Sequence, residues 1–326
     1  MIFLGIDTSN YTTSVCAVSD SSVTSRRRIL DVRSGERGIR QSKGVFQHMK
    51  SFPELLESLS EEVDMRSAAA VGVSTRPRSA EGSYMPVFLA GQGYARTIAA
   101  ALGVPVFEYS HQDGHIMAGV CSCGCYELLE GAFISVHLSG GTTEILRTQY
   151  NGHGFDVQII GGSRDISAGQ FIDRVGVALG LDFPAGVHME RLADKTSGRV
   201  SLPVKTDGAW MNFSGVETKA QGLVGSADNA ALARGVIFEI RRALMRTITA
   251  AMKETDIDRV LVVGGVASNA MIREGLCSLP GAVCFASREF STDNAMGIAE
   301  LVRYEYGSKN RDGISDQRLC EEDTRS

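Results

Sequence analysis

No stretch of the chain approaches the ~18 uninterrupted apolar residues that a membrane helix needs. A basic leader is also missing. The opening MIFLGIDTSNYTTS carries no Lys or Arg and its apolar run stops at Asp7, so a secretory signal is not expected. Charge of one sign is scarce: 33 basic against 38 acidic residues give a formal net charge of −5. That balance makes the chain by itself a poor collector of phosphates, while leaving room for a nucleic-acid partner. Cysteine is too sparse for a disulfide framework, with seven residues in 326, and a reduced cytoplasm is the simplest setting. The one cluster is CSCGC, with Cys121, Cys123 and Cys125. It reads as a small-residue surface loop. A metal or redox site is the alternative, although a spacing of two is not the CxxC of zinc sites.

What is present is ordinary for a globular protein: 43% hydrophobic and 22% charged residues. The length suggests two domains or one duplicated fold. An apolar run at 2–6, the turn-rich DTSNYT, an alternating SVCAV at 14–18 and a further strand near 22–30 read as a meander. Residues 33–43 read as loop. Helix is expected at about 52–63, strand at 68–75, helix at 86–102 and strand in VPVFEY. The second half starts the same way: strand at 132–138, the turn SGGTT, a returning strand at 144–148 and a third near 155–161. Helices follow at about 168–179 and 229–254, the latter with Leu232, Val236, Ile240, Leu244 and Ile248 on one face. The strand RVLVV at 259–263 then runs into Gly264, Gly265 and another helix. The two halves imply an internally duplicated α/β unit. The expected division is a first lobe at 1–108, joined by a helix at about 291–306, a second lobe at 109–290 and a loose tail at 307–326.

Four segments carry candidate chemistry. In YSHQDGHIMAG, His111 and His115 stand at i and i+4, one helical face, a spacing that suits one metal ion. Ser110 and Asp113 form an S-x-x-D helix start. Two surface histidines with no ligand role are the plain alternative. Gln112 stands where H-E-x-x-H peptidases have their general base, which argues against peptidase chemistry. The tips DTSN and SGGTT offer N–H groups and hydroxyls that can wrap a phosphate, though both are also ordinary hairpin turns. Gly264 and Gly265 allow close approach of a ligand, and Asn269 can hydrogen-bond in the first turn beyond, or merely cap it. Asp293, in FSTDNAMGIAE, either favours a helix dipole or serves as a carboxylate ligand.

Taken in order, these segments resemble the tRNA threonylcarbamoyladenosine transferase family of the bacterial TsaD type, once called O-sialoglycoprotein endopeptidase. GIDTSNYTTS is similar to its GIETSCDETS, HQDGH to H-x-E-G-H and SGGTTEI to SGGHTQL. DISAGQFIDRVGVALGLDFPAG resembles D-D-A-A-G-E-A-F-D-K with the following L-G-L-x-Y-P-G-G, and MNFSGVETKA resembles FSFSGLKTA. GGVASN and STDNAMGIA match nearly as they stand. The resemblance spans about residues 1–305.

It implies the duplicated sugar-kinase, heat-shock-ATPase and actin fold, two lobes with a central cleft. It implies one divalent metal ion, iron with zinc as the alternative, on His111, His115 and Asp293. Threonylcarbamoyl-AMP, or another adenine nucleotide, would meet His137, Leu138, Ser139, Gly140, Gly141, Asp173, Gly186, Glu190 and Asn269. The threonylcarbamoyl group would pass to the exocyclic amine of an adenosine beside the tRNA anticodon. Partner proteins would help hold the tRNA, or a heterodimer with an inactive homologue would form. Departures accompany the match. Tyr11 and Thr12 replace an acidic pair, Thr142 a histidine and Glu217 a lysine. They favour the alternative of a non-catalytic or substrate-shifted paralogue that binds metal and nucleotide within a complex. A small-molecule kinase or carbamoyltransferase of the same superfamily is a third reading, one that would not need the two histidines and Asp293.

Overall fold

Strand β1 (Ile2–Ser9) is buried from Phe3 onward on both faces, as befits the middle of a covered sheet. In the computed structural model, which describes the chain except residues 10, 32–38, 81, 288–294 and 309–326, two compact units form. The first takes Met1–Cys121, Tyr150–Phe155 and the described part of Asp293–Ser326; the second takes Ser122–Gln149 and the described part of Asp156–Thr292.

In the first unit β1 pairs antiparallel with β2 (Thr12–Val18), which pairs antiparallel with β3 (Val23–Ile29). On its other side β1 runs parallel to β4 (Ala68–Arg76), and β4 parallel to β5 (Val106–Ser110). Helix α1 (Gln41–Ser60) packs on β2 and β3, and α2 (Phe88–Leu102) on β4 and β1. Their apolar sides close a core around Leu4, Ile6, Phe52, Leu59, Val71 and Val73. The helix at 296–308 lies across the paired Gly5 and Gly72, with Ala299 and Val302 against them.

Helix α1 begins about three turns before the expected start at 52. Gly44, His48, Phe52, Leu55 and Leu59 are all buried at helical spacing, so one continuous face drives the helix through the stretch read as loop. Pro53 sits inside it and removes only one donor. Helix α3 (His111–Cys123) follows β5 directly.

The second unit repeats the plan. β6 (Phe133–Leu138), β7 (Thr143–Tyr150) and β8 (Phe155–Ser163) lie in sequence order in its sheet, and β6 pairs antiparallel with β7. Then come α4 (Ala168–Ala178), α5 (Gly186–Ala193), β9 (Lys205–Asp207), β10 (Trp210–Asn212), α6 (Ser214–Gln221) and α7 (Asn229–Thr255). β11 (Arg259–Val263) runs parallel to both β6 and β12 (Ala282–Phe285), with α8 (Ala270–Leu276) between β11 and β12. The sheet orders are β3-β2-β1-β4-β5 and β12-β11-β6-β7-β8-β10-β9. Reversed, the second contains the first position for position, with β10 and β9 added at one edge. The expected duplication of an α/β unit is therefore the architecture. Among the described residues, no helix is long and apolar enough to cross a membrane. Beyond 308 the expected loose tail lies outside the described residues.

The reading of CSCGC as a surface loop does not hold. Cys121 and Cys123 close helix α3, half-buried, and Cys125 is disulfide-bonded to Cys284 on β12. The partner lies 159 residues away in sequence, so local spacing carried no sign of it.

Candidate functional site

Two clusters gather the predicted residues, one in each unit. In the first, Ser110 and Asp113 make the reciprocal cap that the sequence suggests. The Ser110 N–H and Oγ donate to Asp113 Oδ2 at 2.8 and 2.6 Å, and the Asp113 N–H donates to Ser110 Oγ at 3.1 Å. Ser79 Oγ and the Phe155 N–H also donate to the buried Asp113 carboxylate. That cap fixes the start of α3, and with it both histidines. His111 Nε2 and His115 Nε2 stand 2.9 Å apart, each ring half-buried.

Asp7, fully buried at the end of β1, was not foreseen as part of this cluster. Its carboxylate lies 3.1–3.2 Å from His111 Nδ1. Ser9 Oγ donates to it at 2.8 Å, and Ser74 Oγ donates as well. With Nδ1 engaged by a carboxylate, His111 is turned so that Nε2 faces His115. This is the arrangement by which carboxylates orient metal-binding imidazoles. The only sequence sign of it was a carboxylate interrupting an apolar strand.

The helix at 296–308 crosses α3 at this point. A Cβ on Gly297 would run into the Gly114 carbonyl oxygen, so this crossing needs glycine at 297, whereas a Cβ on Gly114 would press only on the Ile298 side chain. The two described donors, His111 and His115, are spaced much as two ligands of one divalent cation would be. Two nitrogens at ~2.0–2.1 Å from one tetrahedral ion stand about 3.3 Å apart, a few tenths of an ångström beyond the spacing of the two Nε2 atoms. Asp293, the expected third ligand, lies outside the described residues.

Nearby, Thr13 Oγ1 and His48 Nδ1 are 2.8 Å apart in the core. Burial pushes the His48 imidazole down to about 4, against the pull of the Asp7 charge. Thr12 is buried in β2, whereas Tyr11 is half-buried in the turn before it. An acidic group returned to this turn therefore fits at Tyr11; at Thr12 it would be forced into the sheet.

In the second unit, a cavity of about 420 Å³ is lined by Gly140, Asp173, Gly186, Glu190 and Asn269, among others. These are five of the nine predicted substrate residues, brought together from four separate segments. Ile172, Pro184 and Val187 supply apolar wall, the usual composition of a small-molecule site. Each polar residue spends one atom on structure. Asp173 Oδ1 accepts from the Ala185 N–H at 2.8 Å, and Glu190 Oε1 from the Ala270 N–H at 2.6 Å. Asn269 Oδ1 caps α8 by accepting from the Ile272 N–H at 3.1 Å. Among the described residues, the second carboxylate oxygens of Asp173 and Glu190 and the Asn269 side-chain nitrogen make no bond within the chain.

The glycine turn is held against α4. Ser167 Oγ donates to the Gly140 carbonyl at 2.8 Å, and a Cβ on Gly169 would lie 2.5 Å from Gly140 Cα. His137, Leu138, Ser139 and Gly141 are not in the cavity wall. Leu138 is buried in the core, and His137 sits in β6 opposite Glu144. Ser139 Oγ accepts from the Gly141 and Thr142 N–H groups at 3.3 and 3.0 Å and so shapes the turn.

Two further carboxylates bear on the second unit, Asp165, which the sequence did not reveal, and Glu217, which it did. Asp165 accepts from the Phe213 N–H, the Ser214 N–H and Ser214 Oγ, pinning the start of α6. Burial works to raise its carboxyl, but hydrogen bonds from the Ser214 side chain and from Phe213, Ser214 and Ile166 N–H outweigh that and hold it well below the usual carboxylate range. Glu217, where the resembled motif has lysine, is buried and lies 3.7 Å from the Arg174 guanidinium.

The family profile described as TsaD, tRNA N6-adenosine threonylcarbamoyltransferase, matches residues 30–300. A tRNA N6-adenosine threonylcarbamoyltransferase of Thermus thermophilus is 32% identical over 306 residues, 92% of this chain and 91% of the relative. Among solved structures, HypF of T. kodakarensis superposes with a TM-score of 0.61 at 13% identity, covering 94% of this chain and 48% of that one. The activator of 2-hydroxyisocaproyl-CoA dehydratase from Clostridium difficile gives 0.52 at 14% identity, over 96% and 98%. These two likenesses bear on the fold alone, which is the duplicated actin, heat-shock-ATPase and sugar-kinase type.

Proposed function

Because the chain belongs to the tRNA N6-adenosine threonylcarbamoyltransferase family, we propose that it transfers a threonylcarbamoyl group from threonylcarbamoyl-AMP to the exocyclic amine of an adenosine next to the tRNA anticodon. The carrying observation is the cavity of the second unit. Five residues expected to meet the adenylate line it, with acceptor oxygens of Asp173 and Glu190 still unused by the fold. A carboxylate has about four lone-pair sites and Asp173 spends one on the Ala185 N–H, so it still suits the paired hydroxyls of a ribose. The Gly140 turn leaves its backbone uncovered for close approach of the phosphate.

In the transfer, the adenosine amine attacks the carbamoyl carbonyl carbon. The bond from that carbon to the phosphate oxygen breaks, AMP leaves, and the amine loses a proton. His111 and His115, with Asp293, would hold the cation. The resemblance implies iron, with zinc as the alternative, and when bound it supplies a Lewis acid for the developing oxyanion. Asp7 orients His111 so that its Nε2 faces His115. Partner proteins would share the tRNA contact, in keeping with the near balance of charge. Exposed Phe46 and Met49 on α1 and Leu89 on α2 offer such a partner an apolar face.

A thermal-shift titration tests the adenylate site. AMP or ATP should raise the melting temperature of the wild-type protein by linkage, and Asp173→Ala combined with Glu190→Ala should remove the shift. No shift in the wild type at millimolar nucleotide would refute the assignment of the cavity.

A further inference from the structure

The sulfur cluster takes no part in the function proposed above. Cys123 ends α3, Cys125 follows in the turn and Cys284 stands on β12. Their three Sγ atoms all lie within 4.8 Å of one another, and each side chain is half-buried, open enough for an ion to enter. Cys125 and Cys284 are disulfide-bonded, which leaves Cys123 as a third sulfur beside the pair.

We propose that, in the reduced protein, Cys123, Cys125 and Cys284 bind one zinc ion. Four ligands at the ~2.3 Å zinc–sulfur distance stand about 3.8 Å apart around a tetrahedral ion. Sulfurs already within 4.8 Å reach that spacing with small side-chain shifts once the disulfide is open. Reduction supplies two electrons from a dithiol or phosphine and yields two thiols; metal binding then releases the thiol protons to water. The fourth position belongs to water. Cys121 is two residues before Cys123 on α3 and projects from nearly the opposite side at about 100° per residue. The cation, like the disulfide, would tie the end of α3 to β12. Ser122 Oγ, accepting from the Ser287 N–H at 3.1 Å, adds a bond at the same junction.

The test uses the full chain with His111→Ala and His115→Ala as background, so that the histidine cluster does not contribute. The protein is purified under argon with a phosphine reductant and titrated with Co²⁺. A thiolate-to-cobalt charge-transfer band saturating near one equivalent, and bleached by Zn²⁺, is expected. Cys123→Ser and Cys284→Ser should each abolish or severely weaken the band, while Cys121→Ser and Cys277→Ser keep it. Should a serine variant fail to fold, mass spectrometry of alkylated wild-type protein gives the same answer: Zn²⁺ should shield Cys123, Cys125 and Cys284 together, and leave Cys121 reactive. Absence of the band in fully reduced protein, its survival in Cys123→Ser, or equal alkylation with and without Zn²⁺ would overturn the proposal.

Discussion

Asp7 acts through another residue. Buried without any exposure, it accepts from Ser9 and Ser74 and meets His111 Nδ1. Asp7→Asn keeps the volume but gives up the charge that holds the imidazole in one tautomer. Metal affinity should fall about 10- to 100-fold with little change in melting temperature, as read by Zn²⁺ or Fe²⁺ titration. Unchanged affinity would remove Asp7 from the proposed metal site. His48 makes a separate claim on pH. Its folded value of about 4 lies below the reference of about 6.5, so protonation favours the unfolded chain. Its contribution is complete above pH ~6.5 and drains away as pH falls toward 4, by on the order of 3 kcal/mol. Denaturant unfolding across that window should show the slope, and His48→Gln should flatten it; an equal slope in both proteins would contradict the account. The i, i+4 histidines were legible because spacing alone defines a helical face. Asp7 was not, because a carboxylate inside an apolar strand reads as the end of a run until its partners are known.

Among elements, the crossing of α3 by the helix at 296–308 sets the histidine cluster. Gly114 lies between His111 and His115, and Gly297 faces it so closely that no side chain fits. Gly297→Ala should cost about 1–3 kcal/mol by overpacking and lower the melting temperature by several degrees; an unchanged melting temperature would show that the two helices are not held at this contact. The long, periodic α7 and the short, continuously apolar β11 appeared in the sequence nearly as they stand in the structure. β9 and β10, three residues each, carry too short a pattern to register, and they exist because β8 offers β10 an edge to pair with. Helix α6 starts where Asp165 pins it, a contact spanning nearly fifty residues that no local signal announces. The cysteines tell the same lesson: CSCGC was visible as a cluster, but Cys284 became its neighbour only through the β11–β12 pairing.

Across the whole molecule, the two sheets share one strand plan, and seven ordered motifs along the chain were enough to imply it. Five of the nine expected adenylate residues meet in one cavity, and the other four support the turn or the core beside it. The departure at Tyr11 bears on rate. A phenol stands there in place of a carboxylate, and loss of one positioned acid–base group costs about a hundredfold to ten-thousandfold. The most direct measurement is nucleoside mass spectrometry of unmodified tRNA incubated with the protein, a divalent cation, threonylcarbamoyl-AMP and the partner proteins. N6-threonylcarbamoyladenosine is expected to accumulate, more slowly than with the Thermus thermophilus relative assayed alongside and faster with Tyr11→Asp. It should fail to form when the partners are left out. No modified adenosine from either the wild type or Tyr11→Asp, on tRNA that the relative does modify, would contradict the account.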